Sequence, residues 1–242
     1  MKTSYIVRIS VFLFAALAVT TPCSTDPPSP TDPSTVIAAV GITSVVTNKP
    51  ADLTIAVTNL YGSPLSLSFG VDSGFPMPSG GEPQPTVLPD SASTQYVYPT
   101  GWAGNIFVGQ GINVNNSLIE GSYIDTVDVD VSYVDGFSVP IACSSGGVAV
   151  TGCNIDLFNQ SGIACDDEVE GPVCLNPART TPDGPPACFF AACTGAAYTF
   201  PNDNNALGGG LSSLVSCCVG ASCPAPSRQP GEEATVSACS SS

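Results

Sequence analysis

Leu53, Ile55 and Val57 alternate with Thr54, Ala56 and Thr58, and Leu65, Leu67 and Phe69 alternate with Ser66 and Ser68. A period of two places one set of side chains on a buried face and the other on a wetted one, so both runs predict half-buried strands. The turn cluster between them, Asn59 to Pro64, predicts a hairpin. Residues 70–93 are rich in Gly, Pro and Ser and predict a long irregular loop. Strand-like runs resume at 95–98, 105–108 and 124–134. Several short strands with Gly/Pro punctuation, and no long stretch of helical period, predict an all-β sandwich. Beyond Gly146 the chain reads as loop, with one short helix predicted over 183–192. No internal repeat is visible.

The run 124–134 ends in an acidic stretch, Val127-Asp128-Val129-Asp130-Val131-Ser132-Tyr133-Val134-Asp135-Gly136. Val127, Val129, Val131 and Tyr133 share one face, and Asp128, Asp130 and Ser132 share the other. Asp is a poor strand former, so the concentration of carboxylates asks for a reason. A bend at Gly136 would turn Asp135 toward Asp130, and Glu120 would join them from the preceding strand. Carboxylates around one cleft can divide into a general acid and a base, because like charges raise the pKa of one member. They can also bind calcium or simply solvate a strand face. The D-x-D-x-S spacing resembles an EF-hand loop, but Tyr133 stands where that loop requires Gly, so the motif is rejected. A solvated face and a functional cleft both fit these residues.

The amino terminus bears on compartment. Lys2 and Arg8 flank a short polar start, the apolar run 9–19 follows, and Ala16-Leu17-Ala18 forms a small-residue cleavage site. Residues 1–18 therefore read as a secretory signal peptide, too short to span a bilayer. Residues 19–36, rich in Pro, Ser and Thr, read as an extended linker, with the folded domain at 37–242. No second apolar segment of membrane length follows. Without the signal, three basic residues face 20 acidic ones, a formal charge of −17. That balance excludes nucleic acid and anionic membrane as partners and leaves neutral polysaccharides open.

Eleven cysteines in an exported chain predict a disulfide framework. The ten candidates are Cys143, Cys153, Cys165, Cys174, Cys188, Cys193, Cys217, Cys218, Cys223 and Cys239; only Cys23 precedes them. The first half must therefore hold itself together by burial. The chain contains no histidine, so neither a thiolate–imidazole pair nor a zinc site is supported, and no metal or cofactor is expected. The N-x-S triplets at Asn115 and Asn159 are glycosylation candidates.

The acidic stretch also resembles the thaumatin-like (osmotin, pathogenesis-related class 5) family. Asp-Val-Ser-Tyr-Val-Asp-Gly-Phe-Ser-Val-Pro, 130–140, is similar to that family's Asp-Val-Ser-Leu-Val-Asp-Gly-Phe-Asn-Val-Pro strand pair. The stretches 53–69, 100–109 and 117–123 resemble its opening hairpin, the strand after its first loop and its Ala-Glu-Phe segment. Cys193 to Asn204, "CTGAAYTFPNDN", is similar to its Cys-Pro-Asp-Ala-Tyr-Ser-Tyr-Pro-x-Asp-Asp stretch. The likeness covers residues 51 to about 223.

That resemblance implies a flattened β-sandwich over 37–145, a cysteine-rich loop subdomain over 146–242, and an acidic cleft between them. It further implies binding of cell-wall β-1,3-glucan by a secreted monomer, with weak endo-β-1,3-glucanase activity. In the cleft Glu120 would be the general acid and Asp135 the base or nucleophile, while Asp130 and Asp203 would tune them and hold sugar hydroxyls. Trp102, Phe137, Tyr198 and Phe200 are the aromatic side chains available for stacking on sugars. Cys193 is expected to bridge to Cys217 or Cys218 and so fix Asp203. The sequence departs from the family at Phe107-Val108-Gly109, where the family carries its cleft arginine in Trp-Ala-Arg. The alternative function on the same scaffold is a non-catalytic defence, antifungal or enzyme-inhibitor protein.

Overall fold

Leu53–Asn59 (β1) and Leu65–Val71 (β2) are strands with the face assignment the alternation requires. Leu53, Ile55, Val57, Leu65 and Leu67 are fully buried, and the residues between them are half-buried. The two strands do not pair, however, and the predicted hairpin is absent. The side chain of Asn59, itself fully buried, explains the difference. Its Nδ2 donates to the carbonyls of Ser63 (2.9 Å) and Leu88 (3.0 Å), and its Oδ1 accepts from the Tyr61 amide (2.9 Å). These bonds hold the turn in a form that carries the chain from one sheet to the other.

The computed structural model describes residues 52–226, apart from 72 and 82. The predicted signal peptide and linker, Cys23 and Cys239 lie outside the described residues. With strands numbered in chain order, one sheet runs Val148–Cys153 (β10), Ile141–Ser145 (β9), Leu214–Val219 (β14), β1, Ser93–Tyr98 (β4). The other runs Gly208–Leu211 (β13), Val127–Ser132 (β7), Ser117–Tyr123 (β6), Trp102–Gly109 (β5), β2, Thr86–Leu88 (β3). A small third sheet joins Glu168–Val169 (β11), Val173–Leu175 (β12) and Gly136–Phe137 (β8). The architecture is all-β, in keeping with the sequence reading.

The inner faces of the two large sheets form one apolar core, with Ile55, Ile106, Ile119, Val129, Val131 and Val215 fully buried. Trp102 stacks on Tyr98 with ring centroids 3.8 Å apart. The space above Gly121 is filled by the Trp102 ring and by Ile55 from the opposite sheet, so a side chain there would part the layers.

Two predicted loops contain strands. β3 lies within 70–93 and pairs with β2. The cysteine-rich half contributes β14, which runs parallel to β1 on one side and antiparallel to β9 on the other. In β14 Val215, Cys217 and Val219 are buried while Leu214 and Ser216 are exposed. Cys217 acts there as a small apolar residue of a strand, which is the ordinary behaviour of a buried cysteine. The predicted helix over 183–192 is a 3-10 helix, Cys188–Cys193, whose buried Phe189 packs on Phe137, Phe158 and the equally buried Phe190.

The described cysteines are oxidised, as the composition predicts. The bridges are Cys143–Cys217, Cys153–Cys193, Cys165–Cys174 and Cys218–Cys223, and Cys188 is disulfide-bonded as well. The expected partnership of Cys193 with Cys217 or Cys218 is therefore corrected. Cys217 faces Cys143 directly across the β9–β14 ladder, with 4.0 Å between their Cα atoms. Cys193 instead ends the 3-10 helix against the buried end of β10, where Cys153 meets it at 5.5 Å.

Gly136 lies where the chain leaves the six-stranded sheet for the small one. A Cβ built on it would stand 2.5 Å from the Asn115 carbonyl oxygen and 2.7 Å from that of Cys174. Both obstacles are backbone, so neither can swing aside. Gly136→Ala is expected to destabilise the protein by about 2–3 kcal/mol in urea unfolding. A loss under roughly 0.5 kcal/mol would show that the crossing has slack.

Candidate functional site

The outer face of the six-stranded sheet carries the acidic row. Since Val127, Val129 and Val131 point into the core, Asp128 and Asp130 must point the other way. The ladders then set the neighbours: Asn105 on β5 faces Glu120 on β6, and Glu120 faces Asp130 on β7. Residues directly opposite on antiparallel strands have Cβ atoms about 4.5–5.5 Å apart. Glu120 and Asp130, ten positions apart in sequence, are thus a like-charged pair in immediate contact range.

Burial, then the charge of Glu120, then that of Asp128 push the Asp130 carboxyl well above the usual carboxylate range. Asp130 retains some solvent-accessible surface, but its carboxyl is crowded by protein on most sides. Asp128 has a separate task. Its Oδ1 accepts from the Gly210 amide (3.0 Å) and its Oδ2 from the Thr126 hydroxyl (3.0 Å), tying β13 to the start of β7.

Tyr198 brings the third carboxyl in. The segment containing it runs beside the end of β7: its amide donates to Val131 O (2.9 Å), and its carbonyl accepts from Tyr133 N (2.8 Å). The phenol is half-buried and held in the neutral form, first by burial and then by Asp130, Glu120 and Asp203 in that order. Its hydroxyl donates to Asn204 Oδ1 at 3.4 Å. Three of the four predicted site carboxyls therefore act on one aromatic side chain.

Asp203 is only 3% exposed. Its Oδ2 accepts from Gly195 N (3.0 Å), Thr199 N (3.3 Å) and Thr199 Oγ1 (3.1 Å). Burial raises this carboxyl and the three hydrogen bonds oppose the rise. Its visible work is to close the loop that presents Tyr198.

Asp135 follows the end of β7. The chain bends at Val134 and Asp135, and the next residues join the small sheet. Asp135 is exposed as a residue, yet close packing around its carboxyl raises it, and Arg179 opposes that rise. Its carbonyl accepts from Asn176 N (3.3 Å), which caps the 3-10 helix Pro177–Thr180 bearing Arg179. Arg179 is the sole basic side chain among the described residues. It supplies a positive charge beside Asp135.

Of the aromatic candidates, Trp102 (1% exposed) and Phe137 (0%) belong to the core, while Tyr198 and Phe200 keep accessible surface. Two cavities, of about 240 Å³ beside Tyr123, Asp125 and Gly210 and about 370 Å³ beside Ile112 and Glu170, are not lined by Glu120, Asp130 or Tyr198. Asn159 is exposed and Asn115 half-buried, its Nδ2 donating to Asn113 Oδ1 at 3.3 Å. Among the described residues no His, Cys, Asp or Glu group is arranged to hold a metal, and no helix is long and apolar enough to cross a membrane.

Sequence reasoning named Tyr198 only as a stacking candidate and did not foresee its place between the carboxyls. It did not link Arg179 to Asp135 either. Both placements depend on loops packing back against the sheet, which no periodicity announces.

Fold and site together define an all-β, disulfide-rich protein with an acidic row on the outer face of one sheet, organised around a tyrosine. No protein-family model matches the sequence, and no curated protein matches it.

Proposed function

We propose that the protein is exported and binds cell-wall β-1,3-glucan at the Asn105–Glu120–Asp130 row, with Tyr198 beside it. The observation that carries this reading is the direct opposition of Glu120 and Asp130 next to a half-buried phenol. Carboxylates offer acceptors to sugar hydroxyls, and an accessible aromatic face covers the apolar face of a pyranose ring. The disulfides suit an oxidising compartment. The strongly acidic balance disfavours polyanionic ligands, and the resemblance to the thaumatin-like family points toward neutral glucan.

A second reading, slow hydrolysis of the same glucan, rests on the direct opposition of two carboxyl-bearing residues across the β6–β7 ladder, because a glycosidase works with a pair of carboxyl groups flanking the bond. The electrostatics then redistribute the roles expected from sequence: Asp130, held toward its protonated form, would be the acid, and Glu120 the nucleophile. Asp135, beside Arg179, would contribute to the rim.

The test is to incubate the purified protein with laminarin and to measure retention on insoluble glucan and release of reducing ends together. Binding without release is expected of a lectin, with Glu120→Gln and Asp130→Asn keeping the acceptor oxygen and most of the affinity. Release that falls at least about 100-fold in both variants would establish hydrolysis. Retention unchanged by alanine at Glu120, Asp130 and Tyr198 together would remove the row as the binding site.

A further inference from the structure

We propose that Asn159 carries an N-linked oligosaccharide and that Asn115, the other asparagine in an N-x-S triplet, does not. Glucan binding is not required for this. Export is, because the donor is a polyprenyl-diphosphate-linked oligosaccharide met on the way out of the cell. In the transfer the bond from sugar C1 to the diphosphate oxygen breaks and a bond from C1 to Asn159 Nδ2 forms. The amide nitrogen loses one proton, which ends on the departing polyprenyl diphosphate.

At 159–161 the triplet is open. Asn159 and Ser161 are exposed, and among the described residues the Ser161 hydroxyl makes no hydrogen bond. A Cβ built on Gly162, the next residue, meets nothing within 4 Å. The loop nevertheless holds the asparagine in place. Cys153–Cys193 and Cys165–Cys174 fasten it on either side, and Gln160 Nε2 donates to the Phe189 carbonyl (3.1 Å). Asp156 caps the 3-10 helix Leu157–Asn159, its Oδ1 accepting from Phe158 N (3.2 Å) and its Oδ2 from Asn159 Nδ2 (2.6 Å). A side-chain amide has two N–H donors and keeps one after glycosylation, so the bond to Asp156 is compatible with the linkage. The sugars would stand beside Phe158, half-buried at the edge of its cluster with Phe137 and Phe189.

At 115–117 packing already explains the triplet. Ser117 is fully buried, and its Oγ donates to Val139 O (2.8 Å) while accepting from the amides of Ser138 (3.0 Å) and Val139 (3.2 Å). A hydroxyl is one donor and two acceptors, so serine satisfies all three partners there. Asn116 is buried as well, its Nδ2 donating to Gly111 O (2.7 Å). Asn115 is half-buried, its amide turned onto Asn113 Oδ1 and its carbonyl packed on Gly136, where no Cβ fits. An oligosaccharide is bulky and needs surface. It meets packed residues at Asn115 and open space at Asn159.

The test uses the protein recovered outside the cells of its natural host, treated with an amidase that cleaves the Asn–sugar bond and leaves aspartate behind. Peptide mass spectrometry then reads both triplets. A discrete loss of mass is expected, with Asn159 converted to aspartate and Asn115 unchanged. Asn159→Gln and Ser161→Ala should each abolish that loss of mass, and Ser161→Thr should preserve it, because the triplet accepts either hydroxyl. Exported protein with Asn159 unconverted, or with Asn115 converted in its place, would overturn the inference and leave export standing. Protein confined to the cytoplasm would overturn export together with it. Should a variant fail to fold, the peptide masses of the natural protein decide alone.

Discussion

Replacing Cys143 and Cys217 together by alanine is expected to cost roughly 4 kcal/mol, the largest loss of any single bridge among those described. The two sulfurs close a loop of 74 residues between strands that are direct neighbours, β9 and β14. The constraint on the unfolded chain grows with the logarithm of that separation, whereas Cys218–Cys223 closes only five residues and should contribute roughly 2 kcal/mol. β14 is also the strand against which β1 pairs, so the bridge fixes to β9 the strand on which β1 is laid down. Both residues are buried, and alanine leaves a void on top of the lost cross-link. Chemical denaturation of the double variant beside Cys218→Ala/Cys223→Ala measures the difference. Equal losses for the two pairs would mean that the unfolded chain is already constrained near residues 143 and 217 by its remaining bridges.

Asp203→Ala is expected to lose about 3–5 kcal/mol, and Asp203→Asn far less. Alanine leaves the amides of Gly195 and Thr199 and the Thr199 hydroxyl facing a buried position with no acceptor. Asparagine restores an oxygen to the same place. Because the loop so closed carries Tyr198, the alanine variant should also lose glucan retention, while the asparagine variant keeps it. Urea unfolding and a laminarin pull-down on both proteins make the comparison. If Asp203 served only a ligand, alanine would abolish binding and leave stability untouched, and that outcome would remove its role as the anchor of the loop.

These two expectations rest on features that the sequence disclosed unequally. Alternation in 53–58, 65–69 and 127–133 announced which side chains are buried, because a pleated strand sends successive residues to opposite faces and only one face meets the core. It thereby placed Asp128 and Asp130 on the outer face without any knowledge of the fold. The cysteine count together with a signal-like start announced oxidation. None of this depends on which strands become neighbours.

Pairing was decided only in three dimensions. The same alternation fits a hairpin and a crossover between sheets equally well, and the buried Asn59 side chain selects the crossover through hydrogen bonds that reach Leu88, 29 residues away. β14 was hidden because cysteines in a Gly- and Ser-rich context read as loop, although Cys217 follows the strand period. The opposition of Glu120 to Asp130 depends on the β6–β7 register, and a slip of one residue would have sent one of them to the other face. The packing of the loop that carries Arg179 beside Asp135, with the Asn176 amide on the Asp135 carbonyl, is likewise tertiary. The sequence by itself determined which residues could be acidic neighbours on an outer face. Tertiary structure chose the pair, because proximity across a sheet is a property of register and loop packing, and neither is written in local periodicity.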